Sequence, residues 1–440
     1  MEKKSCDVAV IGAGIGGLCV AARLSYAGYK TILLEKMPIV GGRYTWVDYK
    51  GYQIPLGAVF VYYGERDPVI ATLRDVHGDT GFEMKPWPMP KWRIDGKDYE
   101  APTPGTFWRL ISLALRDKQE EERVIKAFRR CFKWREPSDY ISFSEWLLRL
   151  TDNKTLHNIL EAWFIQVIGP SLHDISAGET FRYFVDFMGS QQMSLPKNGL
   201  KPIVDSLVKV ITGNKGQIMT RVKVQKILVR DGVAEGVEVS GLQGQFEIQA
   251  GAVVSNVGPQ KTVQLAGEQN FDPGYPREVK ERIRPFPGAF VFYLTSDGPL
   301  YDWPGGLYTI DTRRKLLWLD MGLVWPELAP KGKNLTWVYV KPRHPTLYDP
   351  REEYEIFLAD LAETFPRFKE QGGEIMLAHH YHSEWPLSHA FPTNQRHQKT
   401  PIENLYNVGD AVNPPGLLAG SGVAEGARMV AEDIKRRIKL

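Results

Sequence analysis

A glycine-rich turn between an apolar strand and an apolar helix constrains the fold of this chain more than any other feature. Residues 6–11, CDVAVI, have the length and β-branched content of a buried parallel strand. Gly12, Gly14 and Gly17 follow directly, and residues 18–27 carry a helical apolar pattern. A strand, a Gly-x-Gly-x-x-Gly turn and a helix in this order predict the start of a βαβ unit of the dinucleotide-binding type.

The spacing gives each glycine, and the acid that follows them, a separate role. Gly12 permits the tight turn, Gly14 lets the backbone approach a pyrophosphate, and Gly17 lets the helix pack closely on the strand. The N–H groups at the helix N-terminus favour the same anion. The next strand ends at Glu35, 21 residues after Gly14. A carboxylate there can accept both hydroxyls of a ribose, so Glu35 and its neighbour Lys36 are predicted cofactor-binding residues.

A glycine pair and an arginine shortly after this acid distinguish one dinucleotide from another. The segment Gly41-Gly42-Arg43 resembles that of the flavoprotein family that contains amine oxidases, protoporphyrinogen oxidase and the phytoene (carotenoid) desaturases. In that family the arginine supports the phosphates of FAD, a role that suits its forked guanidinium. The resemblance implies FAD as the cofactor, with Gly42 and Arg43 among the residues that bind it.

The next glycine-rich segment resembles the part of that family that passes beside the flavin. The resemblance covers residues 51–58 and implies that Gly57, Ala58 and Val59 run near the isoalloxazine ring. The family often has an acid near position 55, where this chain has Pro55.

Two later segments complete the resemblance. The strand that begins at residue 216 is similar to the family strand whose backbone, here at Val222, pairs with adenine. Gly409-Asp410, after a short strand, resembles the motif whose aspartate binds the ribityl chain or the pyrophosphate. A helix that begins near Gly422 and Val423 would then direct its N–H groups at the flavin, where its dipole favours the anionic reduced form.

Because these segments stand far apart in the chain, the predicted fold is α/β with a discontinuous Rossmann-type FAD-binding domain and an interleaved α+β substrate domain. Apolar positions at helical spacing predict a helical insertion at about residues 100–195. The predicted cofactor domain comprises residues 1–75, 196–260 and 396–440, and the predicted substrate domain comprises residues 76–195 and 261–395.

The segment after Asp410 favours one branch of the family. Amine oxidases usually carry an aromatic side chain there, whereas this chain has a Pro-Gly run over residues 413–420. That run resembles the phytoene desaturase branch, as does the loop at residues 196–200. We therefore expect an oxidoreductase that moves hydride between flavin N5 and carbon beside unsaturation in an apolar isoprenoid or alicyclic substrate. A flavin amine oxidase and a flavin-retaining protein without turnover are the alternatives.

A proton must also leave or reach the neighbouring carbon. On a strand, His380, His382 and Glu384 share one face, and a histidine suits proton transfer near neutral pH. The alternative is that these residues are polar groups at the surface or the edge of the core. No third ligand at a defined spacing supports a metal site at these histidines.

Composition limits the partners and the location. The chain has 55 basic and 52 acidic residues, a balance that gives no case for nucleic acid as the main partner. Three unpaired cysteines and no run of about 18 apolar residues suggest a cytoplasmic protein that does not cross a membrane. Residues 128–135 mix basic and aromatic side chains, which predicts either peripheral contact with an anionic membrane or a solvated helix face. The sequence indicates neither the electron acceptor nor the oligomeric state.

Overall fold

The computed structural model describes residues 3–100, 106–134, 139–167, 171–190, 193–242, 244–285, 289–342, 348–381, 388–390, 398–417 and 419–440. Within these ranges the chain forms twenty strands and twelve α-helices, numbered in chain order. The strands are β1 (Lys3–Ile11), β2 (Thr31–Leu34), β3 (Trp46–Tyr49), β4 (Tyr52–Pro55), β5 (Met84–Pro86), β6 (Lys91–Ile94), β7 (Lys97–Glu100), β8 (Ser194–Pro196), β9 (Gly216–Met219), β10 (Lys223–Arg230), β11 (Val233–Gly241), β12 (Gly244–Ser255), β13 (Ile283–Pro285), β14 (Ala289–Ser296), β15 (Gly306–Thr309), β16 (Leu316–Asp320), β17 (Asn334–Val340), β18 (Glu374–Tyr381), β19 (Ser388–Ala390) and β20 (Leu405–Asn407). The helices are α1 (Ile15–Tyr26), α2 (Pro68–Asp75), α3 (Thr106–Ala114), α4 (Lys118–Trp134), α5 (Phe143–Leu148), α6 (Lys154–Val167), α7 (Ala177–Ser190), α8 (Lys201–Gly213), α9 (Pro259–Ala266), α10 (Gly274–Arg282), α11 (Pro350–Thr364) and α12 (Ala419–Arg437).

The first sheet is built around β1. Its strand order is β10-β11-β12-β1-β2-β9, with β20 beside β12. β1 pairs in parallel with both β12 and β2, and Val8, Ala9 and Val10 are fully buried. Burial on both faces is typical of a central parallel strand covered by helices, and α1 packs against α8 and α12. The predicted α/β fold of the Rossmann type is confirmed.

The strands of this sheet come from three distant parts of the chain. All seven fall within residues 1–75, 196–260 and 396–440. The strands of the second sheet fall within residues 76–195 and 261–395. The boundaries between the two domains stay a prediction.

The second sheet has two different faces. Its order is β18-β14-β17-β16-β15-β6-β7, and only β15 and β6 pair in parallel. Successive side chains on a strand point to opposite sides. On one side, the α11 face, Phe292 stacks on Phe357 of α11 with 3.7 Å between the ring centroids. The other side, the inner face, carries Val291, Tyr293 and Tyr339, which join the same hydrophobic core as α1.

The helical part of the chain follows β7 and precedes β8. Helices α3 to α7 span residues 106–190 and surround an aromatic core. Phe128 of α4 meets the Trp146 ring edge to face at 4.9 Å, and Trp146 meets Phe181 of α7 at 4.8 Å. No described helix has the length and apolar character that crossing a membrane requires.

Candidate cofactor and active site

The glycine turn has the close packing that its sequence predicts. Gly12 has φ +91° and donates its N–H to Leu34 O at 2.7 Å, which joins the turn to the end of β2. A Cβ atom at Gly17 would lie 2.0 Å from the carbonyl oxygen of Gly12, so only glycine lets α1 approach the strand this closely. Gly14 stands at the N-terminus of α1, where the free backbone N–H groups of the first turn favour an anion.

The Gly41-Gly42-Arg43 segment lies directly on this turn. Gly41 donates its N–H to Ala13 O at 2.7 Å, and a Cβ atom at Gly42 would lie 3.1 Å from Gly14 Cα. The two glycine-rich segments therefore form one continuous backbone surface.

The predicted flavin segment lies against Arg43. Ala58 donates its N–H to Arg43 O at 2.7 Å, and a Cβ atom at Gly57 would lie 2.7 Å from Arg43 Cβ. Val59 is buried, whereas Gly57 and Ala58 are half-buried. Pro55 keeps a defined role, because its carbonyl accepts the Tyr293 hydroxyl from the inner face of the second sheet.

Glu35 lies at the end of β2, beside the glycine turn. Its Oε2 accepts the Ala13 N–H at 2.8 Å and its Oε1 accepts the Met37 N–H at 2.9 Å. Each carboxylate oxygen has a further lone pair, so both can still accept ribose hydroxyls. Lys36 is exposed, and the Val222 N–H donates to Glu35 O at 2.9 Å, which brings β9–β10 to the same edge.

Arg43 and Asp410 meet although 367 positions separate them in the sequence. Their side chains form an ion pair, with Asp410 8% exposed and Arg43 29% exposed. Gly409 has φ +123°, a conformation that favours glycine, and it turns the chain from β20 towards this pair. The two residues that the sequence assigned to the phosphate and ribityl parts of the cofactor therefore share one location.

The predicted start of the last helix was wrong. α12 begins at Ala419, three residues before Gly422, so the N–H groups without an intrahelical acceptor belong to its first turn, residues 419–421. Gly420 and Gly422 lie inside the helix. Glycine is needed at both positions because Cβ atoms there would overlap Tyr44 and Leu417. Val423 is buried and packs on the glycine turn.

Sequence reasoning missed Asn256, which follows β12. Its Nδ2 lies 3.4 Å from Gly12 O, and its side chain would contact Cβ atoms placed at Gly14 and Gly409. Asn256 therefore lies between the two ends of the cofactor site. The run Ser255-Asn256-Val257-Gly258 after a buried strand was the only signal for it.

Sequence reasoning also missed Asp67, at the start of α2. The buried carboxylate accepts the Ser421 hydroxyl at 2.6 Å, the Val69 N–H at 2.8 Å and the Tyr62 N–H at 3.1 Å. Burial raises the pKa of Asp67. These bonds fix the first turn of α12 against the segment that carries Tyr62.

Four buried tyrosines lie close to one another, and one of them, Tyr339, lies near Arg43. Tyr183, Tyr308 and Tyr339 each interact electrostatically with Tyr62, and Tyr339 also interacts with Arg43. Burial raises the pKa of all four phenols above their ordinary value, so they are uncharged at neutral pH. We call these residues the tyrosine cluster. Its members lie on α7 (Tyr183), β15 (Tyr308), β17 (Tyr339) and the loop before α2 (Tyr62).

The predicted catalytic face does not hold for His380. Strand register pairs His380 with Phe290, and the imidazole stacks on that ring at 4.4 Å and hydrogen-bonds the Tyr348 hydroxyl at 2.7 Å. It therefore belongs to the α11 face, away from the glycine turn. His382 and Glu384 lie outside the described residues. Among the described residues, no group of three or more His, Cys, Asp or Glu side chains is arranged to hold a metal ion.

The neighbouring histidine takes the opposite orientation. His379 pairs with Val291, and Val291 pairs with Tyr339, so these three residues form one row across the inner face. The row begins at the tyrosine cluster. Sequence alternation could have found His379 only if the inward face of β18 had been known.

The residues present fit a dinucleotide with two phosphates and an unmodified ribose. The glycine surface leaves no side chain at Gly14 or Gly42, Glu35 has free acceptor capacity, and Arg43 supplies guanidinium N–H groups.

Comparison with known proteins also indicates a dinucleotide-binding oxidoreductase, one that uses a flavin. The family model for flavin containing amine oxidoreductases matches residues 15–434. A solved oxidoreductase from Methanosarcina mazei is 28% identical with a TM-score of 0.83, over 98% of this chain and 100% of that chain. An uncharacterised protein of Methanocaldococcus jannaschii is 24% identical over 434 residues, 97% of this chain and 99% of that protein. A neurosporene-forming phytoene desaturase from Rhodobacter capsulatus is 27% identical over 332 residues, 67% of this chain and 60% of that protein.

Fold and site together define a flavin-dependent oxidoreductase whose cofactor is FAD. The chain belongs to the flavin-containing amine oxidoreductase family, which includes the amine oxidases and phytoene desaturases.

Proposed function

We propose that this protein is an FAD-dependent dehydrogenase or desaturase that acts on CH–CH groups of an apolar unsaturated, isoprenoid or alicyclic substrate. The tyrosine cluster carries the proposal. Its phenols are uncharged, and Tyr62 and Tyr339 keep 8% of their surface exposed with Tyr183 and Tyr308 packed beside them. The wall near Arg43 therefore offers aromatic surface to a substrate without requiring charge on it. The similarity to the Rhodobacter capsulatus phytoene desaturase supports an apolar substrate.

The cofactor roles are part of this proposal. Glu35 accepts the ribose hydroxyls, the glycine turn and Arg43 hold the phosphates, and Asp410 binds the ribityl or pyrophosphate part. The remaining predicted contacts are Gly57, Ala58 and Val59 beside the flavin ring, Val222 at adenine, and Gly422 and Val423 within α12. When bound, FAD supplies the acceptor or donor of hydride.

The chain itself orients the substrate and handles the proton. Buried aromatic walls exclude water and hold a carbon skeleton over the segment that begins at Gly57. The raised pKa values of the four tyrosines disfavour phenolates as bases. We therefore propose His379, at the end of the Tyr339–Val291 row, as the group that accepts or donates the proton.

An amine oxidase is the second candidate, and the same tyrosines favour it. Aromatic faces attract ammonium groups, so the tyrosine cluster could also receive an amine. Against this, the run at residues 413–420 lacks the aromatic side chain that amine oxidases usually carry.

Anaerobic titration of the FAD-loaded protein distinguishes the dehydrogenase or desaturase from the amine oxidase. Isoprenoid or alicyclic alkenes are compared with primary amines of the same carbon number, and loss of oxidised-flavin absorbance is recorded with product masses. We expect an alkene to bleach the flavin and to lose two hydrogens, one as hydride and one as a proton, with its carbon skeleton intact. Bleaching by amines alone, with an imine or carbonyl product, would establish the second candidate. A flavin that only a chemical reductant bleaches would indicate a flavin-retaining protein without turnover.

Two adjacent histidines provide a matched pair of variants. General acid–base catalysis contributes about 100-fold or more, so His379→Gln is expected to lower kcat by at least that factor and to flatten the pH profile. His380→Gln, on the α11 face, is expected to keep kcat within about threefold and to lose some stability through the lost stacking on Phe290. Equal kcat and pH profiles in the two variants would exclude His379 as the proton-transfer group.

A further inference from the structure

The outer side of helix α4 is basic beyond its N-terminal acids. Between residues 123 and 133 the exposed charged side chains are all cationic. At 3.6 residues per turn they fall within an arc of about 120°, opposite the arc that buries Val124, Phe128 and Cys131. Two acids of the helix, Glu120 and Glu121, stand in its first turn, and exposed Glu122 follows them. Glu120 pairs with Arg123 at 4.0 Å. This basic face consists of Arg123, Lys126, Arg129, Arg130 and Lys133.

A shallow cavity, open to solvent, lies at the C-terminal half of the basic face. It measures about 390 Å³ and is lined by Arg129, Lys133, Phe132, Phe184 and Val185. The two cations are four residues apart and therefore stand one above the other on the helix. Carbon walls beneath paired cations suit a ligand with an anionic head and an apolar chain.

The Arg129 side chain is held in place at the mouth of this cavity. Its guanidinium lies 5.2 Å from the ring centroid of Trp108 on α3, a cation–π distance. Among the described residues, no carboxylate forms an ion pair with Arg129. Its charge is therefore available to an anion outside the protein.

Aromatic contacts lead from the cavity to the tyrosine cluster. Phe132 meets Phe184 at 5.8 Å, and Phe184 meets Trp163 at 5.3 Å. Trp163 meets Trp92 at 6.4 Å, and Trp92 stacks on Tyr308 at 4.2 Å. The same aromatic layer therefore borders both the cavity at the surface and the wall proposed for the substrate.

We propose that the basic face docks the protein on an anionic phospholipid bilayer, with a lipid headgroup between Arg129 and Lys133 and the start of its chain in the cavity. The five cations outnumber the two acids beside them, Glu122 and the Glu120 that pairs with Arg123. The face is therefore positive overall and complements such a surface, which attracts lysine and arginine through its negative potential. The proposal that an apolar substrate leaves the bilayer beside this aromatic layer rests on the proposed function. The docking itself does not.

Nucleic acid is the other polyanion that a basic helix face could meet. The cavity favours lipid, because the half-buried residues of its wall, Phe132 and Val185, are hydrocarbon and the buried ring of Phe184 adds to the same apolar lining. Base stacking needs exposed aromatic faces. Phe132 is half-buried and Phe184 is buried, so neither ring is an exposed face.

Sedimentation of the full-length FAD-loaded protein with vesicles tests the docking without any substrate. Phosphatidylcholine vesicles are compared with vesicles that contain about one third phosphatidylglycerol, the anionic lipid. We expect binding to the anionic vesicles only, and its loss in about 1 M salt, where the screening length falls to about 3 Å. Each cation near an anionic surface strengthens binding roughly fivefold. The double variant Arg129→Gln/Lys133→Gln should therefore bind roughly 25-fold more weakly.

The control removes two cations elsewhere. Lys226→Gln/Lys280→Gln changes exposed lysines on β10 and α10, and its vesicle binding should match the wild type. Failure of the wild type to bind anionic vesicles, equal binding to neutral ones, or equal losses in the two double variants would each overturn the proposal. Binding to a single-stranded oligonucleotide without binding to vesicles would instead identify the face as a nucleic-acid surface. Because no turnover is measured, failure here leaves the proposed redox function to its own test.

Discussion

Replacing Glu35 with glutamine tests the placement of the cofactor most directly. The carboxylate accepts two backbone N–H groups, from Ala13 at 2.8 Å and Met37 at 2.9 Å, and its remaining lone pairs are the acceptors that we propose for the ribose hydroxyls. The glutamine amide keeps one acceptor oxygen and replaces the other with a donor. One backbone N–H and one ribose hydroxyl then lose a charged acceptor.

The expected loss follows from the energy of such bonds. A hydrogen bond to a charged group is worth about 1.5–3 kcal/mol. Loss of the bond to one ribose hydroxyl should therefore raise the Kd for FAD roughly 10- to 150-fold. Loss of one backbone bond in the turn should lower the free energy of unfolding of the apoprotein by about 1–3 kcal/mol.

Isothermal titration of the apoprotein with FAD measures the first effect, and thermal unfolding without FAD measures the second. Glu268→Gln is the matched control, since Glu268 is an exposed acid beside α9 and should leave both quantities unchanged. Wild-type FAD affinity in Glu35→Gln would refute the placement of the ribose at this carboxylate, whatever happens to stability.

Two further changes test the packing and the buried acid. Gly17→Ala should abolish FAD retention and lower the melting temperature, because its Cβ would overlap the Gly12 carbonyl. Gly213→Ala, where a Cβ meets no atom within 4 Å, should do neither. Flavin absorbance after purification measures retention, and a yellow Gly17→Ala protein would contradict the packing argument. Burial raises the pKa of Asp320 to about 6 from 3.8. A carboxyl with a raised folded-state pKa stabilises the fold below its unfolded pKa and loses that contribution as pH rises through the folded pKa. When the pH falls from 7 to 5, the free energy of unfolding of the wild type should therefore rise by about 1.4 kcal/mol relative to Asp320→Asn. Chemical unfolding at both pH values measures this gain, Asp302→Asn is the exposed control, and a constant difference between wild type and Asp320→Asn would refute the shift.

The candidate site shows how far local patterns reach. Gly12, Gly17 and Glu35 were found from the sequence because each answers a local demand: a positive φ, a close helix approach, or an acceptor at a strand end. Arg43 and Asp410 were found separately by resemblance to a family. That they form one ion pair follows only from the parallel pairing of β20 with β12 beside β1.

The errors have a common physical origin. Alternation along β18 correctly separates neighbouring side chains, but it cannot say which side faces the cofactor. The pairing of β18 with β14 decides that, and it directs His379 inward and His380 to α11. The helix start at Ala419 was missed because the glycines at 420 and 422 are typical of a loop. The contact between Gly420 and Tyr44, which explains glycine at that position within a helix, is visible only in the tertiary structure.

The sequence by itself therefore determined the fold class, the cofactor and the residues whose backbone geometry or charge is needed locally. Only the tertiary structure decided the tyrosine cluster, whose members lie on four separate segments, and the inward histidine. The reason is that contacts between distant segments depend on strand pairing and helix packing across the whole chain, which no local spacing encodes.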